Sequence, residues 1–267
     1  MKELQGIKLK DVQAVYDGPE GDLWELIMGE QIHIGGMASS VALAERADIR
    51  GGMKGIDLCC CSGAGMRFLL RMRGVSEMTG VDATSTVVDR GRKRCEREGL
   101  ADRIHFVERD ACDSGLPDGG ADFVWGEDAW CYVEDKGRLI AEAVRLIRPG
   151  GTVAFTDWVE GSVDLDDVEA ERFLRFMKFP SVQDVEGYAD LLRTEGCELL
   201  AAEDTGLFAP CVELYVTMLE KQLGYDALKI LGFDVEMMRQ LAGEMAFTLE
   251  LARAGKIVQG RFVARKA

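Results

Sequence analysis

The chain has 267 residues, enough for one large α/β domain with a substantial buried core. Apolar residues make up 47% and charged residues 30%, which excludes a disordered chain. With 32 basic against 47 acidic residues the net charge is −15, so a phosphate backbone would be repelled and nucleic acid is not an expected partner.

Residues 55–60 form a short apolar run that ends in a glycine-containing turn, and 66–73 read as a helix. A second strand is predicted at 77–82 and a polar-faced helix at 84–98. Arg90, Arg92, Lys93, Arg94 and Arg97 lie on that helix with Asp89, Glu96 and Glu98 interleaved, which reads as a solvated face. Strands follow at 103–109 and 121–126. An amphipathic helix at 135–147 carries Leu139, Ile140, Val144 and Ile147 at helical spacing. Arg148-Pro149-Gly150-Gly151 is expected to stop it and turn the chain into a fifth strand at 152–156. Helices are predicted at 164–179, 182–195, 207–223 and 235–254, with strands at 198–203 and 257–265. The alternation implies βαβ units, a mostly parallel sheet and a ligand crevice at the strand ends.

No apolar signal-peptide core occurs in residues 1–10, and no run approaches the ~18 apolar residues of a membrane span. Eight cysteines occur without a CxxC pair. The expectation is a cytoplasmic chain with reduced thiols and no membrane partner.

The first turn reads Asp57-Leu58-Cys59-Cys60-Cys61-Ser62-Gly63-Ala64-Gly65, a strand delivering a glycine-containing loop to a helix start. Asp82 and Ala83 end the second strand, where a carboxylate can accept from both hydroxyls of a ribose. Asp110 and Ala111 follow the third, where a carboxylate can accept from an adenine amino group. Neither GxGxxG nor GxxxxGK[ST] is present. Adjacent strand residues point to opposite faces, so the triple cysteine cannot converge on a metal.

At these residues the chain resembles the class I S-adenosylmethionine-dependent methyltransferases. The matching pieces are residues 57–65, Val81-Asp82-Ala83, Arg109-Asp110-Ala111, Asp122-Phe123-Val124-Trp125 and Arg148-Pro149-Gly150-Gly151. The resemblance implies a doubly wound, Rossmann-like seven-stranded sheet with its last strand antiparallel, and S-adenosylmethionine converted to S-adenosylhomocysteine. Tyr16-Asp17, Met28 to Gly35, Gly126 to Trp130 and Arg253 to Phe262 resemble, more narrowly, the glycine/sarcosine/dimethylglycine N-methyltransferases. Cys59 and Cys61 stand where such enzymes usually carry glycine, so any positive φ there would be strained.

The resemblance and the residue chemistry give one domain over 1–267, with a lid at 1–50, a cofactor-binding core at 51–160 and substrate-side helices and last strands at 161–267. Asp57, Cys59, Ser62, Gly63, Asp82, Ala83, Asp110, Ala111, Glu127 and Trp130 are the expected cofactor contacts. His33 and Tyr16 are the candidate catalytic residues: His33 to take the acceptor's proton or hold its carboxylate, Tyr16 to close over the cofactor. His33, Asp128, Trp130, Asp157 and Trp158 are candidates for the acceptor, the indole of Trp130 offering a face to a sulfonium or ammonium. The expected reaction is methyl transfer to a small molecule, foremost an amine or amino acid nitrogen. Transfer to oxygen, carbon or arsenic, and a non-catalytic cofactor-binding role, remain alternatives. A homodimer is compatible with the sequence, and no metal is expected.

Overall fold

The alternating apolar runs become strands of one sheet because each strand is buried by helices on both faces. A computed structural model describes residues 1–267. The strands are β1 Lys54–Leu58, β2 Glu77–Asp82, β3 Ile104–Glu108, β4 Ala121–Glu127, β5 Ile147–Glu160, β6 Cys197–Asp204 and β7 Ile257–Lys266. Their order is β3-β2-β1-β4-β5-β7-β6, and only β7 runs antiparallel to its neighbours. This is the mostly parallel, seven-stranded, Rossmann-like sheet of the class I methyltransferase fold. The order reverses between β1 and β4, which opens a crevice at their C-terminal ends.

The helices are α1 Leu9–Asp17, α2 Pro19–Met28, α3 Gly36–Arg46, α4 Ala64–Met72, α5 Ser85–Arg97, α6 Lys136–Leu146, α7 Asp167–Met177, α8 Val185–Thr194, α9 Phe208–Met218, α10 Gly224–Ile230 and α11 Val235–Arg253. None is long and apolar enough to cross a membrane. A π-helical turn, Leu219–Leu223, joins α9 to α10. Asp135, Asp166, Asp184 and Asp234 accept backbone N–H bonds as N-caps of α6, α7, α8 and α11, which fixes where those helices start.

Two details differ from the sequence expectation. The strand after α6 does not begin at 152. Ile147 already pairs with Ala121, and Arg148 to Gly151 form an irregularity before Thr152 pairs with Phe123, with Gly150 at φ +77°. The basic face of α5 is also not simply solvated. Arg90 bonds Asp22 and Glu25, and Arg94 bonds Glu25, so α5 docks the acidic helix α2.

The amino-terminal helices join the substrate-side helices rather than the sheet. Leu23, Ile27 and Ile34 share an apolar cluster with Phe173, Phe208 and Leu249. Two further clusters fill the two faces of the sheet, one around Trp130, Phe155 and Phe262, the other around Met66, Met78 and Trp125.

Candidate active site

A cavity of about 1030 Å³ opens at the strand ends, enclosed by the amino-terminal segment, the β1 turn, the ends of β2 and β3, and the segment after β4. Cys59, Cys61, Asp82, Ala83, Asp110 and Ala111 all line it. Asp82 accepts from the backbone of Cys61 and of Thr84, each at 2.9 Å, which fixes its carboxylate at the rim of the turn. Burial nevertheless pushes its carboxyl above the ordinary aspartate range. Asp110 accepts from the Cys112 amide at 2.8 Å through one oxygen. Two fixed carboxylates at adjacent strand ends suit the ribose and adenine of a nucleoside, so these residues fit S-adenosylmethionine.

The first turn shows the strain that the sequence implies. Cys59 has φ +62° and Cys61 φ +47°, a region that favours glycine, while Gly63 occupies it freely at +76°. A Cβ on Gly63 would lie 2.7 Å from the Phe106 ring, so glycine is also needed there for close packing. Burial pushes the thiols of Cys59 and Cys61 up, the latter to about 12, and Cys112 on the same cavity likewise reaches about 12. They are uncharged at neutral pH and poor nucleophiles or metal ligands.

The amino-terminal side of the cavity brings two phenols together. Tyr16 and Tyr132 line the cavity, with hydroxyl oxygens 3.3 Å apart and rings edge to face at 5.9 Å. Burial raises both hydroxyls above the ordinary tyrosine value, so both stay neutral. The amino-terminal segment is tied across the cavity by Gln13 donating to the Ala83 carbonyl at 2.8 Å and by Lys8 to Glu134 at 2.7 Å. Tyr132 carries no motif of its own. Only its position two residues after Trp130 pointed to the crevice.

The other candidates sit behind the cavity wall. His33 is buried with its Nε2 3.1 Å from Ser40 Oγ and 3.3 Å from Glu127 Oε1. Ser40 also donates to Glu127 at 2.6 Å, and His33 Nδ1 lies 3.3 Å from the Ile34 carbonyl, so both ring nitrogens are engaged by protein groups. The expected role as a base for the acceptor is thus not what the geometry offers: His33 pins the segment after α2 to the end of β4. Asp128, at φ +51°, accepts from the Ile34 amide at 2.7 Å and from Gln259 at 2.9 Å. It ties the same segment to β7.

Trp130 is fully buried, stacked on Phe155 at 4.0 Å, and donates to the Leu58 carbonyl, so its face is closed to a ligand. Asp157 is fully buried and accepts from the Cys131 amide and the Tyr188 hydroxyl, and Trp158 packs among Phe173, Phe179 and Phe208. Neither lines the cavity. Ser62 is buried against Arg67 and Arg94. Asp57 is buried beneath the turn, its carboxyl pushed well up by desolvation and by Glu127 and Asp82. A Cβ on Gly65 would meet Glu127, Trp125 Nε1 and Asp57, so glycine leaves a small polar space there, and Trp125 Nε1 has no partner.

Residues 56–155 match a family model described as a methyltransferase domain. Methyltransferase GfsG of Streptomyces halstedii is 30% identical over 165 residues, 61% of this chain and 59% of that protein. The chain spans 59% and 49% of the length of the first two curated relatives it matches. Other relatives are named as O- and C-methyltransferases. Among solved structures, phosphoethanolamine N-methyltransferase 2 of Haemonchus contortus, in complex with phosphomonomethylethanolamine and S-adenosylhomocysteine, superposes with TM-score 0.86 at 19% identity. That match covers 98% of this chain and 61% of the other. A sarcosine dimethylglycine methyltransferase structure from Galdieria sulphuraria gives TM-score 0.78 at 21% identity, covering 92% and 97%. Residues 56–155 thus match a methyltransferase domain on the fold of the class I S-adenosylmethionine-dependent methyltransferases, and S-adenosylmethionine is the cofactor of this class.

Proposed function

We propose that the protein transfers the methyl group of S-adenosylmethionine to the nitrogen of a small amine. The observation that carries this reading is one cavity shared by the Asp82 and Asp110 carboxylates on the sheet side and the Tyr16–Tyr132 hydroxyl pair on the lid side. Two of the solved structures that superpose over nearly the whole chain are named for amine or amino acid substrates, which supports nitrogen over oxygen or carbon, although a structure named as a [4+2]-cyclase also covers 99% of the chain.

The bound cofactor supplies an activated methyl on a sulfonium. The protein's part is position and dryness. Asp82 and Asp110 hold the nucleoside by charge-assisted hydrogen bonds. Tyr16 and Tyr132, neutral because they are buried, present phenolic oxygens that accept N–H bonds and so aim a nitrogen lone pair. Enclosure by the amino-terminal segment favours the uncharged amine, since desolvation disfavours the ammonium. His33, Glu127 and Asp128 act through the lid segment rather than on the acceptor.

The test is S-adenosylhomocysteine release with amines, amino acids and phenols compared on one preparation. Turnover of phenols alone would overturn the nitrogen reading. Tyr132→Phe should lower kcat/KM for the amine at least tenfold with cofactor affinity retained, and full activity in that variant would remove the phenol pair from the mechanism.

A further inference from the structure

A second, smaller cavity of about 110 Å³ lies between α1, α2, the end of α7, the π-helical turn and α11. Tyr132 lines both cavities, so the two meet at its side chain. The lining is apolar and adaptable, with Trp24, Phe176, Met177, Leu219, Met238 and Met245. Its only charged residues are Glu20 and Glu220, and none is Lys, Arg or His. The Glu220 side chain is 62% exposed and marks the outer rim. Leu219 and Glu220 belong to the π-helical turn, a geometry that recurs at functional sites.

Resting on the amine reading above, we propose that this chamber takes an apolar tail of the methyl acceptor, so that the substrate is an alkyl or isoprenoid-like amine. The chamber itself offers no cation to a carboxylate or phosphate and holds two carboxylates, whereas Lys8, Lys136 and Arg138 all lie on the first cavity. Those carboxylates attract an incoming ammonium. Once its nitrogen lies at the Tyr16–Tyr132 pair, the tail has an apolar place to go. Size narrows the class. A dry apolar cavity of about 150 Å³ admits benzene, so 110 Å³ suits a chain of about four or five carbons. Methionine flexibility allows some extension.

The experiment is calorimetric binding of straight-chain amines from methylamine to hexylamine, and of the matching alcohols, with S-adenosylhomocysteine present. Glycine and phosphoethanolamine, amines that carry a carboxylate or a phosphate, serve as comparators. Affinity for the amines should rise about three- to fourfold per methylene and then level off near the fifth carbon. Met238→Trp should move that break to shorter chains and Leu241→Ala to longer ones, with S-adenosylhomocysteine affinity reporting that each variant is folded. A flat series in the wild type, a break that neither folded variant moves, or tighter binding of glycine or phosphoethanolamine than of butylamine would overturn the proposal. If chain-length dependence appears equally for the alcohols and no amine is methylated, the chamber stands and the nitrogen reading falls.

Discussion

Replacing Cys59 or Cys61 by glycine should stabilise the protein, against the usual effect of putting glycine into a folded chain. Both cysteines sit at positive φ, +62° and +47°. A non-glycine residue held there costs about 1–3 kcal/mol. Glycine removes that cost but adds about 0.4–1 kcal/mol of unfolded-state entropy. Both side chains are half-buried on the cavity wall, so little packing is lost. The net gain is about 1 kcal/mol per site, which for a chain of this size is roughly 2–4 °C in Tm. Cys60 is the internal control. It is buried, has no positive φ, and its Sγ fills the space above Gly80, where an added Cβ would lie 2.5 Å from it. Cys60→Gly leaves a void and gains no relief, so it should cost about 2 kcal/mol. Urea unfolding of the three variants, without cofactor, decides the matter. A loss of stability in Cys59→Gly and Cys61→Gly comparable to that in Cys60→Gly would refute the strain argument.

Asp82→Ala should weaken S-adenosylhomocysteine binding by about 2–3 kcal/mol, because two charge-assisted bonds to the ribose are lost; an unchanged Kd by calorimetry would contradict its assignment. His33→Ala should lower stability by about 1–3 kcal/mol through the lost buried contacts of its ring with Ser40 and Glu127, yet leave acceptor kcat/KM in the folded fraction within a few-fold; a hundredfold kinetic loss at unchanged Tm would restore it as an acid–base residue. Asp157 has a folded pKa of about 6 against an ordinary 3.8, raised first by desolvation. The native state then binds the extra proton between pH 4 and 6, so this group's contribution falls as pH rises through that window. Asp157→Asn should therefore gain on the wild type by up to about 3 kcal/mol between pH 4 and pH 7, and parallel pH–stability curves would contradict this.

The sheet and its acidic strand ends were legible because each rests on local pattern. Apolar runs, glycine turns and a carboxylate at a strand end are all visible within a few residues, and Asp82 and Asp110 do meet on one cavity. The strain at Cys59 and Cys61 followed from the same loop. The acceptor side was less legible because it is made by residues distant in sequence. Trp130 and Asp157 looked like ligands from their places at strand ends, but which way a side chain faces after a strand depends on local backbone turns. Asp128 takes φ +51°, and the next turn directs Trp130 inward onto Phe155 and leaves Tyr132 on the cavity. His33 looked catalytic among glycines, yet Ser40 and Glu127, which claim it, come from α3 and β4. Arg90 and Arg94 were misread as solvated for the same reason: their partners are on α2.

The amino-terminal segment is held by two unequal kinds of contact, and this decides which part of it should open. α2 brings Leu23 and Ile27 into the apolar cluster, and Ile34 follows. Burying side chains of this kind contributes about 1.5–3 kcal/mol each. α1 contributes nothing to that cluster. It buries only Val12 and Val15, and is otherwise held by Gln13 to Ala83, Asp17 to Thr86, and the Lys8–Glu134 pair, whose two side chains are 55% and 63% exposed, while the residues before it make a short antiparallel pairing of Lys2 and Glu3 with Val182 and Ser181. Exposed ion pairs contribute about 0–1 kcal/mol. Residues 1–17 should therefore peel away while α2 stays docked, admitting cofactor beside Ala83. Deleting residues 1–17 should leave a folded protein with a cooperative unfolding transition, slower methyl transfer because Tyr16 is gone, and faster release of S-adenosylhomocysteine. Deleting residues 1–36 removes three members of the apolar cluster and should abolish cooperative unfolding. Stopped-flow release and urea melts on the two truncations test the division. It fails if the short deletion unfolds like the long one, or if cofactor release is no faster without α1.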